Sequence, residues 1–157
     1  MQKLKLVKSE LIFPVIKEIL DKGTSARITV TGMSMYPFLR ENVDSVELSK
    51  VEFSDIRRGD IVMALRNSNE YVMHRVIKIE KSCFYIVGDA QQVIEGPLHS
   101  NQIIAKITVI WRKDKKIDSS NIWWKLLSKS WLTLLPFRGF IIKSYGKLCR
   151  LIREEFI

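Results

Sequence analysis

Hydrophobic and polar positions alternate along most of the middle of the chain, with the period of two that is typical of half-buried β-strands. This pattern predicts strands at residues 27–31 and 44–51, and a continuous apolar run predicts a buried strand at residues 61–65. Further strands are predicted at residues 71–79, 83–87 and 103–111. Turns containing glycine, asparagine or aspartate separate several of these strands. We therefore predict a mainly β protein in which residues 26–116 form one β-rich domain around a single core.

At the N-terminal end the apolar period changes to that of an α-helix. Residues 9–22 carry an apolar stripe on one side, and Gly23 is placed to terminate this short helix. Because proline is best tolerated in a first helical turn, Pro14 places the start of the helix at Ser9 or later. Residues 1–25 are assigned to this N-terminal helical segment.

Residues 117–157 form a C-terminal tail in which apolar residues again recur at helical spacing. A first helical run is predicted between residues 123 and 135. Pro136 and Gly139 interrupt the pattern, and a second run extends from residue 141 to residue 152. The tail is therefore predicted to be helical and amphipathic.

The tail is also basic and rich in tryptophan, and Lys125 and Lys129 lie opposite its first apolar stripe. An apolar face, aromatic residues and basic residues together are typical of a helix that lies on a membrane surface. This favours peripheral membrane contact through residues 121–157. The alternative, in which both helices pack on the β domain or on a second copy of it, is about equally supported.

The net charge of +9 suggests an anionic partner, either nucleic acid or an acidic lipid surface. No helix-turn-helix fits ahead of residue 26, so nucleic acid is not expected. The chain has no His/Cys cluster at metal-ligand spacing and no glycine-rich phosphate loop, so we expect neither a metal nor a cofactor. Cys83 and Cys149 are far apart, and neither a signal peptide nor a spanning segment is visible, which together favour the cytoplasm.

The longest uncharged run of the chain, residues 30–39, holds the first candidate for chemistry. Ser34 lies two residues after Gly32 and three before Pro37, between a residue that permits unusual backbone angles and one that restricts them. A serine held at such a turn suits nucleophilic catalysis if a base lies nearby. On this stretch alone, an ordinary proline turn with a structural serine explains the pattern better.

Three further stretches follow this turn, and the four blocks together carry a family resemblance. The blocks are Gly32–Pro37, Gly59–Val62, Tyr71–Ile77 and Tyr85–Ala90. In order and spacing they resemble the type I signal peptidases and LexA-like repressors, a superfamily of serine peptidases. The resemblance covers residues 28 to 111 and implies a β-rich catalytic domain that cleaves a leader peptide, a signal peptide or a precursor protein.

The resemblance also implies site residues, with Ser34 as nucleophile and His74 at the position of the base. A histidine base resembles the endoplasmic-reticulum and archaeal-type branch, where a Ser-His pair has an acidic third partner. Histidine already titrates near neutrality and benefits from an acid that fixes its tautomer. Asp89, in the Gly-Asp block, is the preferred acid, and Glu95 stays open as the other.

The residues around the serine block are expected to contact substrate, namely Met33, Met35 and Pro37. Many signal peptidases carry a hydroxyl two residues before the nucleophile, where this chain has Gly32, so the backbone N–H of Ser34 is the first candidate to stabilise the oxyanion. The substrate is expected to be an extended peptide with small side chains beside the scissile bond. Two alternatives stay open: a non-catalytic peptide-binding or regulatory module, and a LexA-like self-cleaving repressor.

Overall fold

The chain is mainly β, as predicted, in a computed structural model that describes residues 9–113 and 115–145. The described residues form two α-helices, α1 (Ser9–Asp21) and α2 (Ile122–Thr133), and eight strands. The strands are β1 (Ala26–Thr29), β2 (Asp44–Ser49), β3 (Ile61–Leu65), β4 (Tyr71–Ile79), β5 (Cys83–Val87), β6 (Glu95–His99), β7 (Ile103–Arg112) and β8 (Lys115–Asp118). Single 3₁₀ turns lie at Phe53–Asp55, Ser100–Gln102 and Leu135–Phe137, and residues 138–145 are helical.

All eight strands belong to one sheet, and every pairing in it is antiparallel. The order is β1-β2-β7-β3-β4-β5-β6, and β8 also pairs with β7. The long strand β7 pairs with β3 along its first half and with β8 along its second half. Strands β3, β4 and β5 form a meander with short turns, and this meander carries the predicted base His74 on its middle strand.

Strands β3, β4 and β5 begin and end where the sequence pattern predicts, whereas β6 and β8 were not predicted. Strand β6 contains Gly96 and Pro97, residues that normally mark a loop, and it also includes His99, which the pattern did not assign to any element. Strand β8 begins with two exposed lysines and crosses the expected domain boundary at residue 116. Both strands lie at sheet margins, where backbone pairing does not require an apolar face.

Helix α1 is confirmed and ends at a glycine cap. Gly23 has a φ of +77°, and its N–H donates to the carbonyl of Leu20 while the N–H of Thr24 donates to that of Ile19. This is the paired arrangement of a Schellman motif, which glycine favours because it has no Cβ. Pro14 lies inside the helix but is exposed, so water can reach the carbonyl that the missing N–H leaves free.

The core consists of two clusters of buried apolar side chains. In the larger cluster α1 packs with Ile16 and Leu20 against the sheet, beside Met35 from the serine turn. The smaller cluster gathers around Phe84 and Val76 on the β3–β5 meander. The meander contributes to both clusters, and its residues Ile61 and Met63 share the larger cluster with Met35 of the serine turn.

The C-terminal tail packs one face against the domain and exposes the other. Trp124 and Trp131 contact the ring of Phe38, with centroids 5.3 and 5.9 Å away, and Leu132 is also buried. The predicted apolar stripe is therefore split, since Trp131 is buried while most of its other members are exposed. The exposed apolar face, as we call it below, comprises Ile122, Trp123, Leu126, Leu127, Leu134, Phe137 and Phe140.

Pro136 interrupts the tail as predicted, at the 3₁₀ turn, whereas Gly139 lies within the helical segment that follows. The second half of the second predicted run, beyond residue 145, and Cys149 lie outside the described residues. Among the residues that the structure describes, no helix combines the length and apolar character needed to cross a bilayer.

Candidate active site

Ser34 lies in a turn that the backbone fixes from both sides. Gly32 has a φ of +81°, a conformation that suits glycine, and its N–H donates to the carboxylate of Glu41. On the other side, the N–H of Tyr36 donates to the carbonyl of Met33. The expectation of a serine held at a turn is therefore met by the local geometry.

The loop after β5 lies directly against this turn. The N–H of Ala90 donates to the carbonyl of Ser34 at 2.8 Å. A Cβ placed on Gly88 would lie only 2.7 Å from the same carbonyl oxygen, so a larger residue there would push the two segments apart. The Gly-Asp block thus positions the serine through its backbone.

Ser34 and His74 line the same cavity, of about 170 Å³. The edge strand β1, the residues just after it and β4 supply most of the wall, and α1 adds Phe13, whose ring centroid is 4.4 Å from that of Tyr71. Within the described part of the chain, neither the hydroxyl nor the backbone N–H of Ser34 has a hydrogen-bond partner. Both groups are therefore available to a molecule in the cavity.

The three expected substrate contacts differ in their surroundings. Met35 is on the cavity wall, but its side chain is buried in the core. Met33 is 55% exposed, beside the serine. Pro37 is half-buried, and neither Pro37 nor Met33 lines the cavity. Of the three, Met33 is the one whose side chain is most open to a bound peptide.

Glu95 is the carboxylate that contacts His74. The Nδ1 of His74 lies 2.8 Å from Oε1 of Glu95, although that oxygen is not aligned with the ring N–H as in a linear hydrogen bond. Arg66 holds the same carboxylate through its Nη2, at 2.7 Å from Oε1, and through its Nε. The arrangement leaves Nε2 of His74 as the ring nitrogen that is not enclosed.

Burial governs the charge on the imidazole. Desolvation lowers the pKa of His74 below its usual range, and the charge of Arg66 lowers it further, while the carboxylate of Glu95 opposes both. Partial burial raises the pKa of Glu95, but the hydrogen bonds from Arg66 and the charges of His74 and Arg66 lower it by more, so the pKa of this carboxyl is lowered overall. At neutral pH the site therefore holds a neutral imidazole beside an ionised carboxylate, which is the state that a general base requires.

Asp89 lies elsewhere, in a fully buried ion pair. Its carboxylate accepts from Nε and Nη2 of Arg75, at 2.8 and 2.6 Å. Arg138 from the tail lies 3.9 Å away, and the indole N–H of Trp131 donates to the backbone carbonyl of Asp89. The structure thus brings Glu95, and not the preferred Asp89, to the imidazole.

Sequence reasoning missed the three arginines that organise these carboxylates, namely Arg66, Arg75 and Arg138. Only Arg75 carried a signal, because it follows His74 in a strand and adjacent strand residues point to opposite faces. The other two reach their partners from distant parts of the chain, and no spacing rule links them.

Comparisons with known proteins add no family to this picture. No protein-family model matches the chain, and no curated protein matches it. The resemblance to signal peptidases and LexA-like peptidases therefore stays a prediction that rests on the four sequence blocks.

Proposed function

We propose that the protein is a serine endopeptidase with Ser34 as nucleophile and His74 as general base. The observation that carries the proposal is the shared cavity, which is lined by Ser34, whose hydroxyl has no partner among the described residues, and by His74, whose Nδ1 lies 2.8 Å from the carboxylate of Glu95. A nucleophile, a base and an acid that orients the base are the three parts that acyl transfer requires.

In this mechanism Oγ of Ser34 attacks the peptide carbonyl while Nε2 of His74 takes its proton. The imidazolium then gives that proton to the leaving amine, and an acyl-enzyme forms. Water attacks the acyl-enzyme, His74 takes a proton from the water and returns it to Oγ as the acid product leaves. The free N–H of Ser34 stabilises the oxyanion in both halves of the reaction.

Glu95 is the acid that this mechanism uses. Its contact with Nδ1 favours the tautomer with the proton on that nitrogen, which leaves Nε2 free to accept a proton. Asp89 is already neutralised by Arg75, so its role is to hold the loop that positions the serine. Arg66 is a positioning residue, since it acts on His74 through Glu95.

The substrate is an extended segment of a leader peptide, signal peptide or precursor protein. Strand β1 forms one edge of the sheet, and residues 28–32 line the cavity beside Ser34. An extended peptide can therefore add to β1 through main-chain hydrogen bonds and bring its scissile bond to the serine.

The same proposal places the enzyme at the cytoplasmic surface of a membrane, held there by the tail. The exposed apolar face of α2 and the residues after it includes Trp123 and Phe140, which are 70% and 76% exposed. Aromatic side chains of this kind insert at the depth of lipid headgroups. Protease protection in sealed vesicles tests on which side of the membrane the protein lies. A tail that spans the membrane would contradict this placement.

The direct test is peptide cleavage by the purified protein with and without anionic vesicles. The substrates are extended peptides with small residues at candidate sites, and the products are identified by mass spectrometry. Ser34→Ala and His74→Ala are each expected to abolish detectable cleavage. Ser82→Ala and His99→Ala, both at exposed positions, serve as matched controls and are expected to cleave like the wild type.

Cleavage that survives in His74→Ala would assign the base to another group. Peptide binding by the wild type without any cleavage would instead favour the non-catalytic module. Cleavage of the protein's own chain but of no added peptide would favour the self-cleaving alternative.

A further inference from the structure

A second cavity, of about 410 Å³, lies between α2 and the sheet. Its walls come from the turn at residues 57–60, the start of β3, strand β7 and the buried side of α2. It shares no lining residue with the cavity at Ser34. Any ligand it binds is therefore separate from the substrate of the proposed peptidase, and the inference below does not rest on that activity.

The cavity is strongly cationic. Its five basic lining residues are Arg57, Arg58, Lys106, Lys125 and Lys129. Its one carboxylate, Asp60, is already bound, because it lies 2.8 Å from Nζ of Lys106 and accepts the backbone N–H of Arg57. No described residue forms an ion pair with the other basic side chains of the wall. The cavity thus carries an uncompensated positive charge.

Ser128 is a second, independent sign of a ligand. It lies on the cavity wall, one turn of α2 from Lys125 and next to Lys129, and is only 4% exposed. Its hydroxyl is enclosed and has no hydrogen-bond partner among the described residues. Enclosed hydroxyls in folded proteins normally have a partner, so this one is available to an acceptor on a bound molecule.

The rest of the wall is apolar. Trp124 and Leu132 of α2 face Ile61 and Ile107 of the sheet across the cavity. An isolated hydrated anion would leave these surfaces unused. An anion joined to an apolar group would use both parts of the wall.

We propose that this cavity binds the phosphate group of an amphiphilic ligand. A phosphate has enough oxygens to accept from a guanidinium, two ammonium groups and a hydroxyl together, which a single carboxylate does less well. The ligand is either a soluble organic phosphate or the headgroup of an anionic phospholipid. On the surface of α2, Lys125 and Lys129 lie between the cavity and the exposed apolar face, which begins at Ile122. A bilayer that contacts this face therefore also lies near the mouth of the cavity.

The test uses the full chain and two kinds of probe at one ionic strength. The soluble probe is sn-glycerol 3-phosphate, titrated by calorimetry, with inorganic phosphate beside it. The lipid probe is vesicles of phosphatidylcholine with or without phosphatidylglycerol, assayed by co-sedimentation. The variant Lys125→Gln/Lys129→Gln removes two cavity charges, and Lys81→Gln/Lys116→Gln removes two exposed charges elsewhere.

We expect the cavity variant to bind its probe more weakly by at least about tenfold, because it loses two charge-assisted contacts, and the control to change less than about twofold. Ser128→Ala, which changes no charge, is expected to weaken binding a few-fold. Binding of glycerol phosphate identifies a soluble ligand, and binding of anionic vesicles alone identifies a lipid.

Three results would overturn the proposal. The first is that the wild type binds neither probe. The second is that both double variants lose binding equally, in which case the net charge of the protein alone explains the binding. A single-stranded RNA that displaces the bound probe at lower concentration would assign the cationic surface to nucleic acid instead.

Discussion

Two neighbouring residues of β4, His74 and Arg75, each contact a carboxylate, and the two pairs lie in different environments. Arg75 and Asp89 are both fully buried, and the charge of each is balanced by the other. His74 is buried as well, but Glu95 retains 21% of its side-chain exposure and is shared with Arg66. Because consecutive strand residues point to opposite faces, one strand serves both pairs without contact between them.

The difference assigns the Arg75–Asp89 pair to the stability of the fold and the His74–Glu95 pair to the proposed reaction. Removing either partner of a buried ion pair that is held by two hydrogen bonds lowers the free energy of unfolding strongly. Such a pair also has no free group that could act on a substrate. The imidazole beside Glu95 instead keeps one nitrogen free and a lowered pKa. Four measurements test this division.

The largest effect is expected from Asp89→Asn, which leaves Arg75 buried without its counter-charge. We expect the free energy of unfolding to fall by about 3–5 kcal/mol. Urea denaturation measures this, with the exposed Asp55→Asn as a control that is expected to match the wild type. A stable Asp89→Asn protein that has lost only activity would reverse the roles that we assign to the two acids.

Glu95→Gln is expected to act on activity more than on stability. Loss of the acid that fixes the imidazole should lower kcat/KM about 10²- to 10³-fold, toward the effect of the equivalent change in serine proteases. The pair with Arg66 is partly exposed, so the free energy of unfolding should fall by no more than about 1 kcal/mol. A variant with full activity would remove Glu95 from the mechanism.

Arg138→Met tests how the tail supports the buried pair. Arg138 donates to the carbonyls of Trp131 and Gly88, and its loss removes these buried hydrogen bonds, although the Gly88 carbonyl still accepts from the N–H of Gln91. We expect a loss of about 1–3 kcal/mol of unfolding free energy, measured by urea denaturation. Lys143→Met, at an exposed position in the same helical segment, is the matched control. Equal effects from the two variants would mean that the buried arginine contributes nothing particular.

The smallest effects concern the proton on His74. Its folded pKa is lowered from 6.5, so the unfolded chain binds this proton more readily. The contribution of the neutral imidazole to stability is therefore complete above pH 6.5 and declines as the pH falls from there toward the folded pKa. NMR titration of the wild type should place the pKa below 6.5, and activity should decline only below that pH.

Variants of the two flanking residues sharpen this measurement. Removing the negative charge in Glu95→Gln should lower the pKa of His74 further, and removing the positive charge in Arg66→Gln should raise it. If neither variant shifts the titration, desolvation alone sets the pKa, and Glu95 does not interact with the imidazole.

The sequence predicted well the parts of the fold that are held by local pattern. Strand β4, for example, is rich in aromatic and β-branched residues and lies between two polar turns, so both its existence and its bounds could be predicted from the sequence. Strand β6 could not be predicted, because Gly96 and Pro97 resemble a loop until β5 supplies the backbone partners. The choice between Asp89 and Glu95 stayed open in the sequence for the same reason, since the proximity of Glu95 to His74 depends on where β6 lies.

The tail shows a second limit on what a sequence pattern can predict. Helical spacing predicted a helix and an apolar stripe, but not which side would pack. Phe38, far away in the chain, provides the surface that selects Trp124 and Trp131 for burial. Residues such as Leu126 and Leu127 then remain exposed although they are just as apolar.

The contact of Arg138 with Gly88 and Trp131 has a consequence for the order of biosynthesis. All eight strands are complete at Asp118, so the sheet can form while the ribosome is still adding the tail. The loop that supports Ser34 gains its last buried hydrogen bonds only once Arg138 has emerged. The residues of the proposed Ser-His pair can therefore be in place before Arg138 completes the hydrogen bonds of the loop that lies against Ser34.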